Sequence, residues 1–321
     1  QMLEQHIAQN KVRHAYLFTG PPGIGRRTLA LKFSMAISCK QPGMNGEPCG
    51  VCRACKGISS QQYTDLSIVQ AEVEGGILKV DQIRDMQHTL SLSPYEGYFR
   101  IAMLLRFHEA NLNAQNALLK TLEEAPERVI LLLTADASEQ LLPTIVSRCE
   151  VIRLRPLHHS ELRDELLKRS DISIENAERI SHLAGGRPGF ALRLYLHPDM
   201  LEARRNMIED LITLISSNSK ERLSFASTMR ENKDKLRDMI QTWLSVWRDV
   251  LLLASGCQSS LVNLDYEQQI KTVSEQVPSG TINHILSSLT EGIRDLDTNV
   301  NPELLVGVLA LDFPHINISN G

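Results

Sequence analysis

The architecture of this 321-residue chain is encoded most clearly in one segment, Ala15-Tyr16-Leu17-Phe18-Thr19-Gly20-Pro21-Pro22-Gly23-Ile24-Gly25-Arg26-Arg27-Thr28. Its first residues form an apolar run typical of a buried strand, and a helix is predicted from about residue 26 to residue 38. A strand, a glycine-rich loop and a helix in this order are typical of a P-loop, where backbone N–H groups and the helix N-terminus hold phosphates. The segment therefore predicts an α/β domain with a phosphate-binding loop.

Four further apolar runs predict the rest of a sheet, at residues 66–69, 101–105, 129–133 and 151–154. Helical patterns separate these runs, and strands that alternate with helices favour parallel pairing with right-handed crossovers. We therefore predict a parallel sheet of five strands in the first half of the chain.

The remainder of the chain has helical periodicity. Pro156 marks a linker, Ser160 is predicted to cap a helix, and Gly185-Gly186 is predicted to end the next one. Trp243 and Trp247 have the i, i+4 spacing of residues that pack on one helix face. We predict an α/β domain over residues 1–155, a small three-helix domain over 156–198 and an all-α domain over 199–321.

The composition is that of an ordinary globular chain, with 42% hydrophobic and 22% charged residues. The net charge of −4 and the aromatic content of 5% argue against a zinc-dependent DNA-binding protein. The chain begins at Gln1 within a helical pattern, so we expect that a few N-terminal residues precede it. The sequence contains no recognisable export signal, and a cytoplasmic protein is expected.

The positions after the loop glycines depart from a working P-loop. The usual pattern has a Lys that reaches the β- and γ-phosphates and then a Ser or Thr that holds Mg²⁺, but this chain has Arg26 and Arg27. Two interpretations are open: Arg26 replaces the lysine and nucleotide still binds, or the loop is only a strand-to-helix turn. The candidate phosphate loop, expected to be empty, comprises Gly20, Gly23, Gly25, Arg26 and Arg27.

The second half of a nucleotide hydrolysis site is also incomplete. An apolar strand should end in acidic residues that hold Mg²⁺ and polarise the attacking water, whereas this chain has Leu105 and Arg106. Glu109 lies beyond the strand and is expected to be solvated. The sequence therefore predicts that this chain does not hydrolyse ATP.

Four cysteines cluster after the first long helix, at Cys39, Cys49, Cys52 and Cys55. Four thiolates at such spacings suit tetrahedral Zn²⁺ in a structural site. Chance free thiols, a redox pair and an iron–sulfur cluster are the alternatives. The adjacent pair His158-His159 is interpreted as part of a solvated linker rather than as a metal site.

Three motifs carry a resemblance to a known family: the loop Gly20–Gly25, the string Asn116-Ala117-Leu118-Leu119-Lys120-Thr121-Leu122-Glu123-Glu124-Ala125-Pro126, and Ser147-Arg148-Cys149. Together with the cysteines they resemble the bacterial clamp-loader subunits of DNA polymerase III, in the AAA+ superfamily. The resemblance is strongest to the subunits without ATPase activity. It implies a helical lid over residues 156–198, an oligomerisation collar over 199–321 and a zinc module at residues 39–55.

The resemblance also implies roles for single residues and partners. Arg148 would act as an arginine finger on ATP bound by a neighbouring subunit; otherwise it is an ordinary salt-bridging arginine. Gly189 stands where active subunits carry a nucleotide-contacting arginine, although Arg187 is close by. The implied partners are the gamma/tau ATPase subunits, the delta subunit, and through the complex the sliding clamp and primed DNA. The alternative is an active gamma/tau-like ATPase with unusual nucleotide ligands.

Overall fold

The computed structural model describes residues 2–9, 11–43, 46–73, 75–169, 171–229, 233–257, 261–296 and 300–316. The chain divides into two compact units. The first comprises Gln1–Pro156 with Arg187–Gly189, and the second comprises Leu157–Gly186 with Phe190–Gly321.

A five-stranded parallel sheet forms the centre of the first unit, with the strand order β2-β3-β4-β1-β5. The strands are β1 Ala15–Thr19, β2 Leu66–Val69, β3 Arg100–Leu104, β4 Val129–Ala135 and β5 Glu150–Arg153. The predicted parallel sheet is thus confirmed, with strand ends that differ by one or two residues. β1 lies between β4 and β5, so the glycine loop leaves the sheet from an interior strand.

Helices cover the sheet on both faces. They are α1 Met2–Ala8, α2 Arg26–Ser38, α3 Arg53–Ser59, α4 Val80–Leu90, α5 Leu112–Glu123 and α6 Pro143–Val146. Because side chains alternate along a strand, Tyr16 packs in one apolar cluster with Phe33 of α2, whereas Leu17 packs in another with Leu118 of α5. Burial on both faces explains why β1 is a continuous apolar run.

The second unit consists of helices. They are α7 His159–Arg169, α8 Ile174–Ala184, α9 Pro188–Leu196 (of which Pro188 and Gly189 belong to the first unit), α10 Pro198–Ser216, α11 Ser219–Thr228, α12 Lys233–Ala254, α13 Glu267–Gln276, α14 Ser279–Asp295 and α15 Pro302–Leu311. Residues of α7, α8 and α9 share one apolar cluster, and residues of α10 to α15 share a larger one. Trp243 and Trp247 are fully buried in the larger cluster, which confirms their predicted packing role.

The helix ends follow the predicted signals with one correction. Gly185 adopts a left-handed conformation (φ 55°) and ends α8, as predicted. Ser160 is not the N-cap of α7, since that helix already begins at His159. The division into three domains stays a prediction. No helix among the described residues has the length and apolar character needed to cross a membrane.

Candidate functional site

The glycine loop has the backbone geometry that its sequence predicted. Gly20, Gly23 and Gly25 all have positive φ angles, of 147°, 79° and 104°. A Cβ atom at Gly20 would lie only 2.8 Å from the carbonyl oxygen of Leu154, so a side chain does not fit there. α2 begins directly after Gly25, and the loop therefore joins the carboxyl end of β1 to a helix N-terminus.

Arg26 is held by a carboxylate of the same chain. Its Nη1 atom lies 2.5 Å from Oδ1 of Asp136, which follows β4, in an ion pair that is not aligned as a hydrogen bond. The Arg26 side chain is 10% exposed and that of Asp136 is 30% exposed. The guanidinium at the phosphate-contacting position is thus neutralised internally.

Arg27 lies outside the loop and contacts a different part of the unit. Its Nη2 donates a 2.8 Å hydrogen bond to Oε1 of Gln61, and both side chains are exposed. A guanidinium has only donors, so Arg27 offers no oxygen ligand to a metal ion.

The segment after β3 contains Leu105, Arg106 and Glu109, and the predicted exposure of Glu109 is not what the structure has. Leu105 is buried and packs in the cluster of Phe33, as an apolar residue should. Arg106 has a left-handed backbone (φ 48°), and its Nε donates a 2.8 Å hydrogen bond to Oε1 of Glu109. The expectation of a solvated Glu109 was wrong: its side chain is 8% exposed and also accepts a hydrogen bond from the N–H of Gly75.

Gly189 lies directly against the glycine loop. Its N–H donates a 2.8 Å hydrogen bond to the carbonyl oxygen of Gly23. A Cβ atom at residue 189 would lie 2.9 Å from that same oxygen, so the site excludes any larger residue unless the backbone moves.

The two strings that carry the family resemblance meet at Arg148. Its Nη2 donates a 2.7 Å hydrogen bond to Oε1 of Glu123, the last residue of α5, and its Nη1 donates to the carbonyl oxygen of Thr144 at 2.9 Å. The Arg148 side chain is 35% exposed. Burial raises the pKa of the neighbouring Cys149 thiol to about 12, so this cysteine is a neutral packing residue.

The four cysteines converge as their spacing predicted, and their Sγ atoms lie within 4.8 Å of one another. The Sγ atoms of Cys39 and Cys52 are 4.0 Å apart, as are those of Cys49 and Cys55. Tetrahedral Zn²⁺ with Zn–S bonds of about 2.3 Å requires S–S distances of about 3.8 Å. The four thiols therefore fit a metal ion of this size.

Backbone N–H groups support negative charge in the cysteine cluster. The N–H of Cys52 donates to Sγ of Cys49, and the N–H of Cys55 donates to Sγ of Cys52. The latter bond lowers the pKa of Cys52 to about 6. Burial instead raises the pKa of Cys55 to about 12, so a thiolate at that position needs a cation beside it.

A second group of possible metal ligands was missed from the sequence. His159 lies beside Glu178 and His182 of α8, and one ligand atom of each lies within 4.8 Å of the others. His158 is exposed, in line with a solvated linker, but His159 is half-buried. The i, i+4 spacing of Glu178 and His182 was the available signal, whereas the contact with His159 depends on how α7 packs on α8.

A parallel sheet in the order β2-β3-β4-β1-β5, with a glycine loop after β1, defines an α/β fold of the P-loop type. A family model described as "DNA polymerase III, delta subunit" matches residues 1–158, and one described as "DNA polymerase III, delta subunit, C terminal" matches residues 198–315. The chain belongs to the delta' family of DNA polymerase III clamp-loader subunits.

Individual relatives agree with this family. The chain is 27% identical to the DNA polymerase III subunit delta' of Bacillus subtilis, over 97% of this chain and 94% of that protein. It is 35% identical to the delta' subunit of Pseudomonas aeruginosa, over 63% of this chain and 61% of that protein. The tau subunit of Bacillus subtilis is 26% identical over 95% of this chain, which spans 58% of tau.

A solved structure is similar in fold. It is that of a DNA polymerase III gamma subunit-related protein from Thermotoga maritima, with a TM-score of 0.52 and 18% identity. The match covers 97% of this chain and 98% of that one.

Proposed function

We propose that this chain is a non-hydrolysing stator subunit of the clamp loader, which donates Arg148 in trans to ATP bound by a neighbouring ATPase subunit. The ion pair between Arg26 and Asp136 carries this proposal. A residue that should meet the β- and γ-phosphates is neutralised by a carboxylate of its own chain, so the loop has lost its attraction for a triphosphate.

The chain also lacks the ligands that would hold a catalytic Mg²⁺ ion. Phosphoryl transfer depends on Mg²⁺ held by a hydroxyl and by carboxylate oxygens. Arg27, Leu105 and Arg106 stand at those positions, and the nearby carboxylate of Glu109 accepts hydrogen bonds from Arg106 and Gly75. These contacts support the proposal that this chain does not hydrolyse ATP.

Arg148 is suited to act on a phosphate outside its own chain. Its ion pair with Glu123 is partly exposed, and exposed pairs of this kind are worth about 0–1 kcal/mol. A triphosphate carries more charge and can accept a bidentate hydrogen bond from the guanidinium, so it would displace Glu123 at small cost. Arginine fingers accelerate phosphoryl transfer by about 10³–10⁵.

The cysteine cluster is proposed to hold a structural zinc ion. Cys39, Cys49, Cys52 and Cys55 would provide a complete set of four thiolates, which leaves no position for a substrate. The ion would fix the segment between α2 and α3, two helices that pack together through Met35 of α2 and Cys55 of α3 in one apolar cluster. Zinc here has a structural role only.

Delta' membership supports the proposed partners. They are the gamma/tau ATPase subunits and the delta subunit, with the sliding clamp and primed DNA reached through the assembled complex. A protein of chromosomal replication in bacteria would act in the cytoplasm. The chain would thus work as one rigid member of an assembly whose other subunits bind and hydrolyse ATP.

The test combines the isolated chain with the reconstituted clamp loader. We expect the isolated chain to show no turnover of Mg·ATP, and Arg148→Ala to lower the clamp- and DNA-stimulated ATPase of a fully assembled complex. Unchanged ATPase in that complex would contradict the finger role. Micromolar Mg·ATP affinity with turnover by the isolated chain would instead favour an active gamma/tau-like ATPase, a candidate supported by the similarity to tau.

A further inference from the structure

A cluster of two histidines and a glutamate lies in the second unit, apart from the glycine loop and the four cysteines. His159 is the first residue of α7, and Glu178 and His182 are one turn apart on α8. One ligand atom of each lies within 4.8 Å of the other two. The rings of His159 and His182 are also close, with centroids 4.5 Å apart. Three donors of the type that binds transition metals therefore converge.

The ring of His182 is oriented for ligation. Its Nδ1 atom lies 2.9 Å from the carbonyl oxygen of Leu261. A carbonyl oxygen can only accept, so Nδ1 carries the proton and donates it. Histidines that bind metals usually donate their second ring N–H to a carbonyl or carboxylate in this way, which fixes the tautomer and leaves Nε2 as the ligand atom.

The other end of the ring faces a second acceptor. Nε2 of His182 lies 3.3 Å from Oε1 of Glu178, and the His182 side chain is only 9% exposed. In the tautomer set by Leu261, a neutral ring presents a lone pair to this carboxylate, so the two groups repel each other. Either a proton on Nε2 or a cation shared by both groups removes that repulsion.

The other contacts of Glu178 and His159 leave ligand atoms available for a shared cation. Oε2 of Glu178 accepts a 3.1 Å hydrogen bond from Nη1 of Arg163, which orients the carboxylate and leaves Oε1 available. Arg163 also pairs with Asp164 at 2.9 Å, so its positive charge is offset by a second carboxylate. In the described part of the chain, neither ring nitrogen of His159 forms a hydrogen bond, so either can act as a ligand.

We propose that His159, Glu178 and His182 form a binding site for a divalent transition-metal ion of the zinc class. Two imidazoles and one carboxylate suit Zn²⁺, and Co²⁺ or Ni²⁺ as probes, better than Mg²⁺ or Ca²⁺. Three protein ligands leave a fourth position for water. A bound ion would join the start of α7 to the middle of α8 and stabilise this helix pair.

The test counts metal ions and identifies the ligands spectroscopically in the full-length chain. After dialysis against excess Zn²⁺, we expect two zinc equivalents per chain in the parent protein and one in His159→Ala. Co²⁺ added to protein whose thiolates already hold zinc should give visible d–d bands without thiolate-to-cobalt charge transfer. Glu178→Gln should weaken Co²⁺ binding about tenfold or more.

Two controls make the result decisive. His158→Ala removes the exposed neighbour, whose ring lies 4.2 Å from that of His159, and should keep both zinc equivalents. His159→Ala retains the bond from His182 to Leu261, so circular dichroism in the presence of EDTA should match that of the parent. Equal zinc content in the parent protein and His159→Ala, or equal Co²⁺ affinity in His159→Ala and His158→Ala, would overturn the proposal and leave only the contact between Glu178 and His182.

Discussion

Arg148 and Glu123, which are 25 residues apart in the chain, form a 2.7 Å ion pair at the surface of the first unit. The pair joins the end of α5 to the loop before β5, where the two family-specific strings of the sequence meet. Under the proposed function this pair is the resting position of the arginine finger. The geometry therefore provides a matched pair of variants, one on each side of the same contact.

Arg148→Ala should lower the clamp- and DNA-stimulated ATPase of the assembled loader at least tenfold, since a finger contributes up to about 10³–10⁵. Glu123→Gln removes the negative charge from the same surface pair but keeps the guanidinium, so its ATPase should stay within about twofold of the parent. Exposed pairs contribute about 0–1 kcal/mol, and both variants should therefore assemble and melt like the parent. Equal ATPase losses in the two variants would indicate a structural role for the pair.

Asp136→Asn should destabilise the first unit, because it leaves the mostly buried guanidinium of Arg26 without its partner. We expect a loss of about 1–3 kcal/mol in the free energy of unfolding, below the roughly 3–5 kcal/mol of fully buried pairs because Asp136 is partly exposed. The double variant Arg26→Met with Asp136→Asn should recover part of that loss. Urea unfolding of the parent, the single variants Asp136→Asn and Arg26→Met, and the double variant measures the coupling, and strictly additive losses would argue against a stabilising ion pair.

Asp65 should make the first unit sensitive to acid. Burial opposes its ionisation, but hydrogen bonds from the N–H groups of Tyr95, Gly97 and Glu96, together with the charge of Arg100, lower its pKa overall. Because the folded pKa lies below the unfolded value of about 3.9, this stabilisation is complete above about pH 5, declines as the unfolded state takes up protons, and is lost as the pH falls through the folded pKa.

Asp65→Asn should therefore lower stability at pH 7 and flatten the decline of stability below pH 4. The measurement is the free energy of urea unfolding from pH 7 to pH 2.5. Asp81→Asn is a suitable control, since Asp81 forms an exposed i, i+3 pair with Arg84 that contributes little. An acid profile of Asp65→Asn with the same slope as that of the control would show that Asp65 is not the responsible group.

The strands and the two loop motifs could be predicted because their signals are local. A strand buried on both faces must be apolar throughout, and phosphate loops and thiolate clusters need particular residues at fixed spacings. β1, the loop glycines and the convergence of the four cysteines follow from such patterns.

The ion partners could not be predicted in the same way. Arg26 and Asp136 meet because β4 lies beside β1 in the sheet, and that order is set by packing of the whole unit. Glu109 was expected to be solvated because it follows the strand, but the left-handed turn at Arg106 brings the two side chains together. The neighbours of His159 could not be predicted either, because its contact with Glu178 and His182 depends on how α7 packs on α8.

Removal of metal from the cysteine cluster should destabilise the segment between α2 and α3. Cys52→Ser takes away one of four thiolates, so we expect a loss of zinc from this cluster and a lower melting temperature of the first unit. Cys257→Ser is the matched control, because Cys257 is exposed and outside the cluster, and it should keep the parent's zinc content and melting temperature. The measurement is elemental zinc per chain together with thermal unfolding before and after treatment with a chelator. Identical zinc content in the two variants, or a chelator-treated parent that melts at the original temperature, would exclude a structural zinc ion at these cysteines.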